Sequence, residues 1–285
     1  MKPLKLFLVL TFALFLVGFA LVGVLISVGS PNYLVVLAQI LMAWTPTAAY
    51  ALIHRRANPD KSLWRYVADL FATRVRLLPL LASILIPVVA TTIVWLGYAL
   101  VSGQSPLDLI ANLSVAAVVV MFFDSLIRGP LGEEVGWRGY LQNELTKRFS
   151  LLKASLIVGV IWSLWHLPLW FISGFQGVDL LLYVMFFMIG LIAFSVIIGF
   201  VYGRGQNLIY AILLHQMLNF SGRLLEMDEL TVLGGTSAVY VVIALVLSVA
   251  WLRSTSRPTA AQPAHVYQQS AHPQMRTPLG AVRGT

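Results

Sequence analysis

The stretch Gly129-Pro-Leu-Gly-Glu133-Glu134-Val-Gly-Trp-Arg138-Gly-Tyr140 decides how this sequence is read. It sets two adjacent carboxylates and an arginine in a chain that is otherwise overwhelmingly apolar. Ionisable side chains at membrane depth cost a few kcal/mol each on insertion scales, so their presence alone points to function. The surrounding chain has 285 residues, 59% hydrophobic and only 11% charged, with a mean hydropathy of +0.86. A soluble domain carries about 25% charged residues. Apolar runs of about 17–25 residues recur, the length of a bilayer-crossing helix. The alternation of a membrane β-barrel strand, about ten residues per segment, is absent. The sequence predicts an all-α, polytopic membrane bundle of about eight transmembrane helices enclosing an intramembrane polar cavity.

A net charge of +8 raises nucleic acid as a partner, but the basic residues lie in short loops between apolar runs, where they set orientation. No nucleic-acid partner is expected; the lipid bilayer is. The absence of cysteine excludes disulfides, thiolate catalysis and cysteine-held metal.

Lys2 and Lys5 precede an apolar run at 6–28, too long for a cleaved signal peptide and lacking a small-residue cleavage motif. It reads as a retained first span. Further spans are expected at 33–53, 77–101, 109–127, 152–172, 178–202, 208–221 and 236–252. Asp124 then falls near the inner end of the fourth. Between Arg55 and Arg76, Trp64, Tyr66, Val67, Leu70 and Phe71 interleave with charges. This is the pattern of a surface-lying amphipathic helix, although a plain positive loop would serve topology equally. The motif segment, 132–149, falls between the fourth and fifth spans beside Lys147, Arg148 and Lys153. With the N-terminus inside, all of the 19 Lys and Arg residues except Arg223 lie inside or at the inner boundary. That places the protein in the cell membrane with both termini cytoplasmic. Residues 1–253 are expected to form the transmembrane domain, with its motif core at 129–222. Residues 254–285, rich in Pro, Gln, Ser, Thr and Ala, are expected to form a disordered cytoplasmic tail. Nothing in the chain sets an oligomeric state.

Residues four apart share a helix face, so Glu134 and Arg138 are expected to pair, while Glu133 points about 100° away. This assigns Glu134 and Arg138 a supporting role and leaves Glu133 as the working carboxylate. Pro130 and Gly132 start a helix with Glu133 in its first turn. There the helix dipole and burial act on the carboxylate in opposite senses. His166 follows Trp162 by four residues, so the indole can pack on the imidazole and exclude water. Pro168 can open the helix beside that histidine. His215 and Asn219, again four apart, suit the holding of a water or an oxyanion. A lone intramembrane histidine is as well explained by helix–helix hydrogen bonding. A Glu pair, two separate His and an Asn are not.

Glu133-Glu134-x-x-x-Arg138, Trp162-x-x-x-His166 and His215-x-x-x-Asn219 together resemble three motifs of the CAAX-protease and bacteriocin-processing intramembrane endopeptidases, also called the abortive-infection family. Trp162 stands where that family often has Phe. The resemblance implies hydrolysis of a membrane-anchored peptide or protein substrate, in a cavity opening toward the cytoplasm. By position, Glu133 would activate water, His166 and His215 would position it or bind a metal, and Asn219 would stabilise the oxyanion. A zinc site built on both histidines and a metal-free glutamate mechanism both fit the resemblance. The HExxH arrangement is absent. The competing expectations are a non-catalytic immunity or scaffold protein of the same fold and a transporter with a polar relay at mid-membrane. No matched pair of broken helices supports the transporter.

Overall fold

The computed structural model describes residues 2–255, with side chains described to residue 252. Among these residues all regular structure is helical, and the only extended pairing is an isolated bridge between Ile110 and Leu225. Compactness divides the chain into Met1–Val249 and Ala250–Thr285. The final helix runs to Thr255, and the rest of the expected tail lies outside the described residues.

Helices α1 (Pro3–Ser27), α2 (Asn32–Ala43), α3 (Thr45–Ala57) and α4 (Leu63–Asp69) open the chain, followed by α5 (Leu77–Ser102) and α6 (Val115–Ile127). The quoted stretch forms α7 (Pro130–Glu134), a π-helical segment (Val135–Gln142) and α8 (Asn143–Thr146). Then come α9 (Leu151–Trp165), α10 (Leu167–Trp170), α11 (Gly177–Gly205), α12 (Ile209–Ser221) and α13 (Glu229–Thr255). Five stretches are long and apolar enough to cross a membrane: α1, α5, Val115–Thr146, α11 and Glu229–Leu252; the α2–α3 pair, bent by 51°, makes a sixth. This is an integral membrane helical bundle. The expected count of about eight included α9 and α12, which have 15 and 13 residues. At about 1.5 Å per residue these reach some 20 Å, two thirds of a hydrocarbon core. The first is cut short where a polar site residue sits. Trp165 ends α9, His166 is its C-cap, and Pro168 starts α10 without an N–H to continue the ladder.

The stretch 132–149, expected to leave the membrane, instead continues from α6 as one candidate span to Thr146. Its polar side chains lowered the hydropathy of the sequence, but they are buried within the bundle: Glu133, Glu134, Arg138 and Gln142 are each 3% exposed or less. Asp124 therefore lies well before the end of its span. Close approach of α3 allows this burial, since a Cβ on Gly136 would lie 2.6 Å from the Pro46 backbone. The Trp44 indole at the α2–α3 bend donates to the Ile127 carbonyl at 2.8 Å, satisfying a carbonyl freed at the end of α6.

The bundle has two distinct ends. At the basic end, α4 carries Leu63, Tyr66 and Val67 toward the core and leaves Trp64 exposed, as the amphipathic reading expects. Tyr66 donates to the Gly139 carbonyl at 2.5 Å. Asn207 spans to the Phe71 and Thr73 carbonyls at 2.9 and 2.6 Å. At the opposite end, Ala111 N–H donates to the Leu224 carbonyl and Glu226 N–H to the Leu109 carbonyl, both at 2.9 Å.

Candidate active site

Three helices deliver the site. The start of α7 brings Glu133, the end of α9 brings Trp162 and His166, and α12 brings His215 and Asn219; all five line one cavity of about 500 Å³. Its walls are largely apolar, with Phe187 and Leu191 from α11, Leu218 from α12 and Val232 and Leu233 from α13. The lining continues to Arg223, Met227 and Glu229, at the end opposite the basic loops.

Glu133 is held from two sides. The Trp162 indole donates to Oε2 at 2.7 Å and the Trp137 indole to the same oxygen at 3.1 Å. No described residue donates to Oε1. Sequence alone assigns Trp137 no role, although it stands four residues after Glu133, the spacing that singles out Arg138. Trp162 does more than pack. A phenylalanine there could shield the site but could not donate to Glu133.

Glu134 faces away from Glu133, as the 100° rotation predicts. Its Oε1 accepts from Arg138 at 2.9 Å and from His215 Nδ1 at 2.7 Å, and the side chains involved are at most 4% exposed. The His215 contact, between residues 81 positions apart, is not visible in the sequence. With Nδ1–H committed to Glu134, a neutral His215 presents an Nε2 lone pair. His166 Nδ1 lies 2.8 Å from the Trp162 carbonyl, an acceptor only, so its Nε2 is likewise the free nitrogen. The Trp162 ring sits among these groups, 4.8 Å from the His215 ring, 6.2 Å from the His166 ring and 4.4 Å from the Arg138 guanidinium carbon. Phe187 closes on His166 at 5.1 Å.

The Asn219 amide has no hydrogen-bond partner among the described residues and lines the cavity. Gly129 makes its approach possible: a Cβ there would lie 2.6 Å from Asn219 Nδ2, 3.1 Å from the Ser125 carbonyl and 3.6 Å from His215 Nε2. The glycine between α6 and α7 thus lets both α12 side chains sit against the helix that carries Glu133.

A catalytic zinc takes three protein ligands with an open fourth position. Among the described residues no group of three or more His, Asp or Glu side chains lies close enough to hold a metal ion. His166 and His215 offer two nitrogens of suitable tautomer but do not complete such a set.

Asp124 and Arg128 are expected from the sequence at the inner boundary. They lie instead toward the end opposite the basic loops, where Arg128, which lines the cavity, pairs with Asp124 at 2.5 Å and Arg223 approaches the same carboxylate at 3.7 Å.

Comparison with known proteins bears out the family resemblance over the part of the chain that carries the site. Residues 114–221 match the family described as Type II CAAX prenyl endopeptidase Rce1-like. The chain is 30% identical over 141 residues to CAAX prenyl protease 2 of Methanococcus maripaludis, covering 48% of this chain and 51% of that protein. The chain therefore spans about half the length of the curated relative that it matches.

Proposed function

We propose that the protein is an intramembrane endopeptidase that hydrolyses peptide bonds of membrane-anchored peptides or proteins with a water activated by Glu133. The observation that carries this reading is the double indole clamp on Glu133 Oε2, which leaves Oε1 to face a cavity shared with two histidines and an asparagine. Oε1 takes a proton from a water as that water attacks the scissile carbonyl carbon. The Asn219 amide donates to the oxygen that gains charge, a contribution of about 3–4 kcal/mol where such donors have been removed. The Nε2 lone pairs of His166 and His215 hold the water's second hydrogen and the incoming amide N–H. When the C–N bond breaks, Glu133 returns its proton to the leaving nitrogen. Glu134 fixes the His215 tautomer and, with Arg138, anchors the helix under it.

The apolar lining suits a substrate that enters from the bilayer, and the name of the relative, a CAAX prenyl protease, makes a C-terminal lipidated segment the first substrate to try. Two imidazoles fall short of a zinc site, so no step here passes through a metal. Chelation followed by zinc addition tests the alternative directly.

Orientation belongs to the same proposal. Placing the basic end in the cytoplasm of the cell turns the cavity mouth, with Arg223 and Glu229, to the other side. A cytoplasmic mouth, as the resemblance implies, would require the opposite orientation. The charge asymmetry is a property of this chain, and we follow it. Because the chain has no cysteine, an Arg223→Cys variant labelled in whole cells by a membrane-impermeant maleimide decides the matter. Labelling from outside supports this orientation, and labelling only after lysis reverses it.

The activity itself is tested by exposing a membrane-anchored peptide library to purified protein and to Glu133→Gln. Cleavage by the first alone supports the endopeptidase. No cleavage by a folded wild-type protein, with toxin or peptide retained in the cavity, favours the non-catalytic immunity reading.

A further inference from the structure

We propose that the segment 63–76, at the basic end, docks on the anionic phospholipid headgroups of the adjoining leaflet and thereby braces the two helices that carry the site. The docking rests on this strap alone, and its bearing on the site rests on the hydrolytic reading above. The strap comprises α4 and the connector to α5. Its exposed face interleaves apolar side chains with cations: Trp64 is 81% exposed, Phe71 39% and Val75 45%, beside exposed Arg65, Arg74 and Arg76. Among the described residues none of these three arginines forms an ion pair. The nearby acids Asp69 and Glu144 are taken by Lys61 and Lys147 at 2.7 and 2.5 Å. Asp60 is exposed, but so are Arg55 and Arg56, and the surplus at this end is positive. An indole set among guanidinium groups suits headgroup depth. Each basic residue held near an anionic leaflet strengthens attachment about fivefold.

The other face of the strap is tied to both helices of the site. Tyr66 donates to the Gly139 carbonyl at 2.5 Å, in the π-helical segment that follows Glu133 and Glu134. Leu70 packs against the same turn, so that a Cβ on Gly139 would lie 2.7 Å from Leu70 Cδ1. The Leu208 N–H donates to the Leu70 carbonyl at 2.8 Å. Asn207 donates to the Phe71 and Thr73 carbonyls at 2.9 and 2.6 Å, and the Arg76 N–H donates to the Tyr210 hydroxyl at 2.6 Å. Asn207, Leu208 and Tyr210 stand at the start of α12, which carries His215 and Asn219. One strap therefore joins the helix of the working carboxylate to the helix of its partners. Setting topology explains positive charge at this end. It explains neither an exposed indole between the cations nor a set of hydrogen bonds reaching both site helices.

The test places the protein in nanodiscs of phosphatidylcholine, alone or mixed with phosphatidylglycerol. Because the chain has no cysteine, an environment-sensitive fluorophore on Ala68→Cys, an exposed position of α4, reports docking without reference to hydrolysis. Phosphatidylglycerol is expected to shift its emission to the blue, and about 1 M salt to reverse the shift. Arg74→Gln should raise the phosphatidylglycerol content at half-shift about fivefold. Combining Arg65→Gln, Arg74→Gln and Arg76→Gln should abolish the shift with an unchanged detergent melt. Cleavage of an uncharged membrane-anchored peptide should be severalfold faster in the anionic discs, and that ratio should fall toward one in the triple variant. None of the three side chains lines the cavity. No shift in the labelled protein, or a shift that the triple variant keeps, would overturn the docking surface. An arginine-dependent shift with equal cleavage in both discs would overturn the bracing of the site. A shift with no cleavage in any disc would remove the hydrolytic reading and leave the docking surface standing.

Discussion

Two carboxylates in this protein are each shared by two nitrogen-bearing partners, and they behave differently because of where they lie. Glu134 Oε1 takes Arg138 and His215 at 2.9 and 2.7 Å, with side chains at most 4% exposed. Asp124 Oδ2 takes Arg128 at 2.5 Å and Arg223 at 3.7 Å, with exposures of 25%, 33% and 48%. In the deep wall, water cannot compensate a missing partner, so removing one leaves a bare buried charge at a cost of about 3–5 kcal/mol. At the mouth, water screens the pair, which is worth roughly 0–1 kcal/mol. The same grouping is therefore scaffold in one place and an exchangeable contact in the other.

The comparison breaks most visibly at the wall. Arg138→Ala strips Glu134 of its strong partner and should destabilise the protein by about 3–5 kcal/mol, read as loss of folded protein in detergent melts. Wild-type stability in that variant would mean that Glu134 needs no cation. Trp162→Phe keeps the ring and removes one donor to Glu133. We expect kcat/KM to fall about tenfold or somewhat more, the value of one hydrogen bond to a charged group, with little change in melting temperature. An unchanged rate would make the indole N–H irrelevant to the carboxylate.

The mouth should be far more forgiving. Asp124→Asn is expected to cost under about 1 kcal/mol of stability, read in the same detergent melts, since Arg128 keeps its bond to Gln39. If its melting temperature drops as far as that of Arg138→Ala, the contrast fails. The smallest effect belongs to α4. The Lys61 ammonium hydrogen-bonds Asp69 at 2.7 Å and holds its carboxyl below the usual range. A lowered folded-state value contributes stability above the unfolded value and loses it as pH falls through the folded one. For an exposed pair the change is slight, so melting curves of wild type and Lys61→Ala should nearly superimpose at neutral and acid pH.

Much of this site is legible in the sequence because its pairs are local. Glu134 with Arg138, Trp162 with His166, and His215 beside Asn219 are all four apart, and helical periodicity reports such faces directly. Periodicity does not say which helix lies opposite, so the Glu134–His215 contact and the Trp162–Glu133 bond stay hidden. Trp137 has the right spacing, but membrane tryptophans most often mark the bilayer interface, which masks its role. The π-helical register of Val135–Gln142 has no periodic signature over eight residues, yet such segments often accompany functional sites. Hydropathy misplaces Arg128, because polar residues satisfied inside the bundle look like residues leaving the membrane. The short α9 and α12 pass for full spans on composition alone.

The most direct test sets the two adjacent glutamates against each other, as Glu133→Gln and Glu134→Gln, measuring melting temperature and peptide cleavage in the same preparations. The account predicts that Glu133→Gln melts like wild type, its amide oxygen still accepting from both indoles, and cleaves nothing. Glu134→Gln should lose several degrees or fail to fold, because Arg138 is left without its counter-charge. Retained cleavage in Glu133→Gln, or a wild-type melt in Glu134→Gln, would contradict the division of labour on which the proposed chemistry depends.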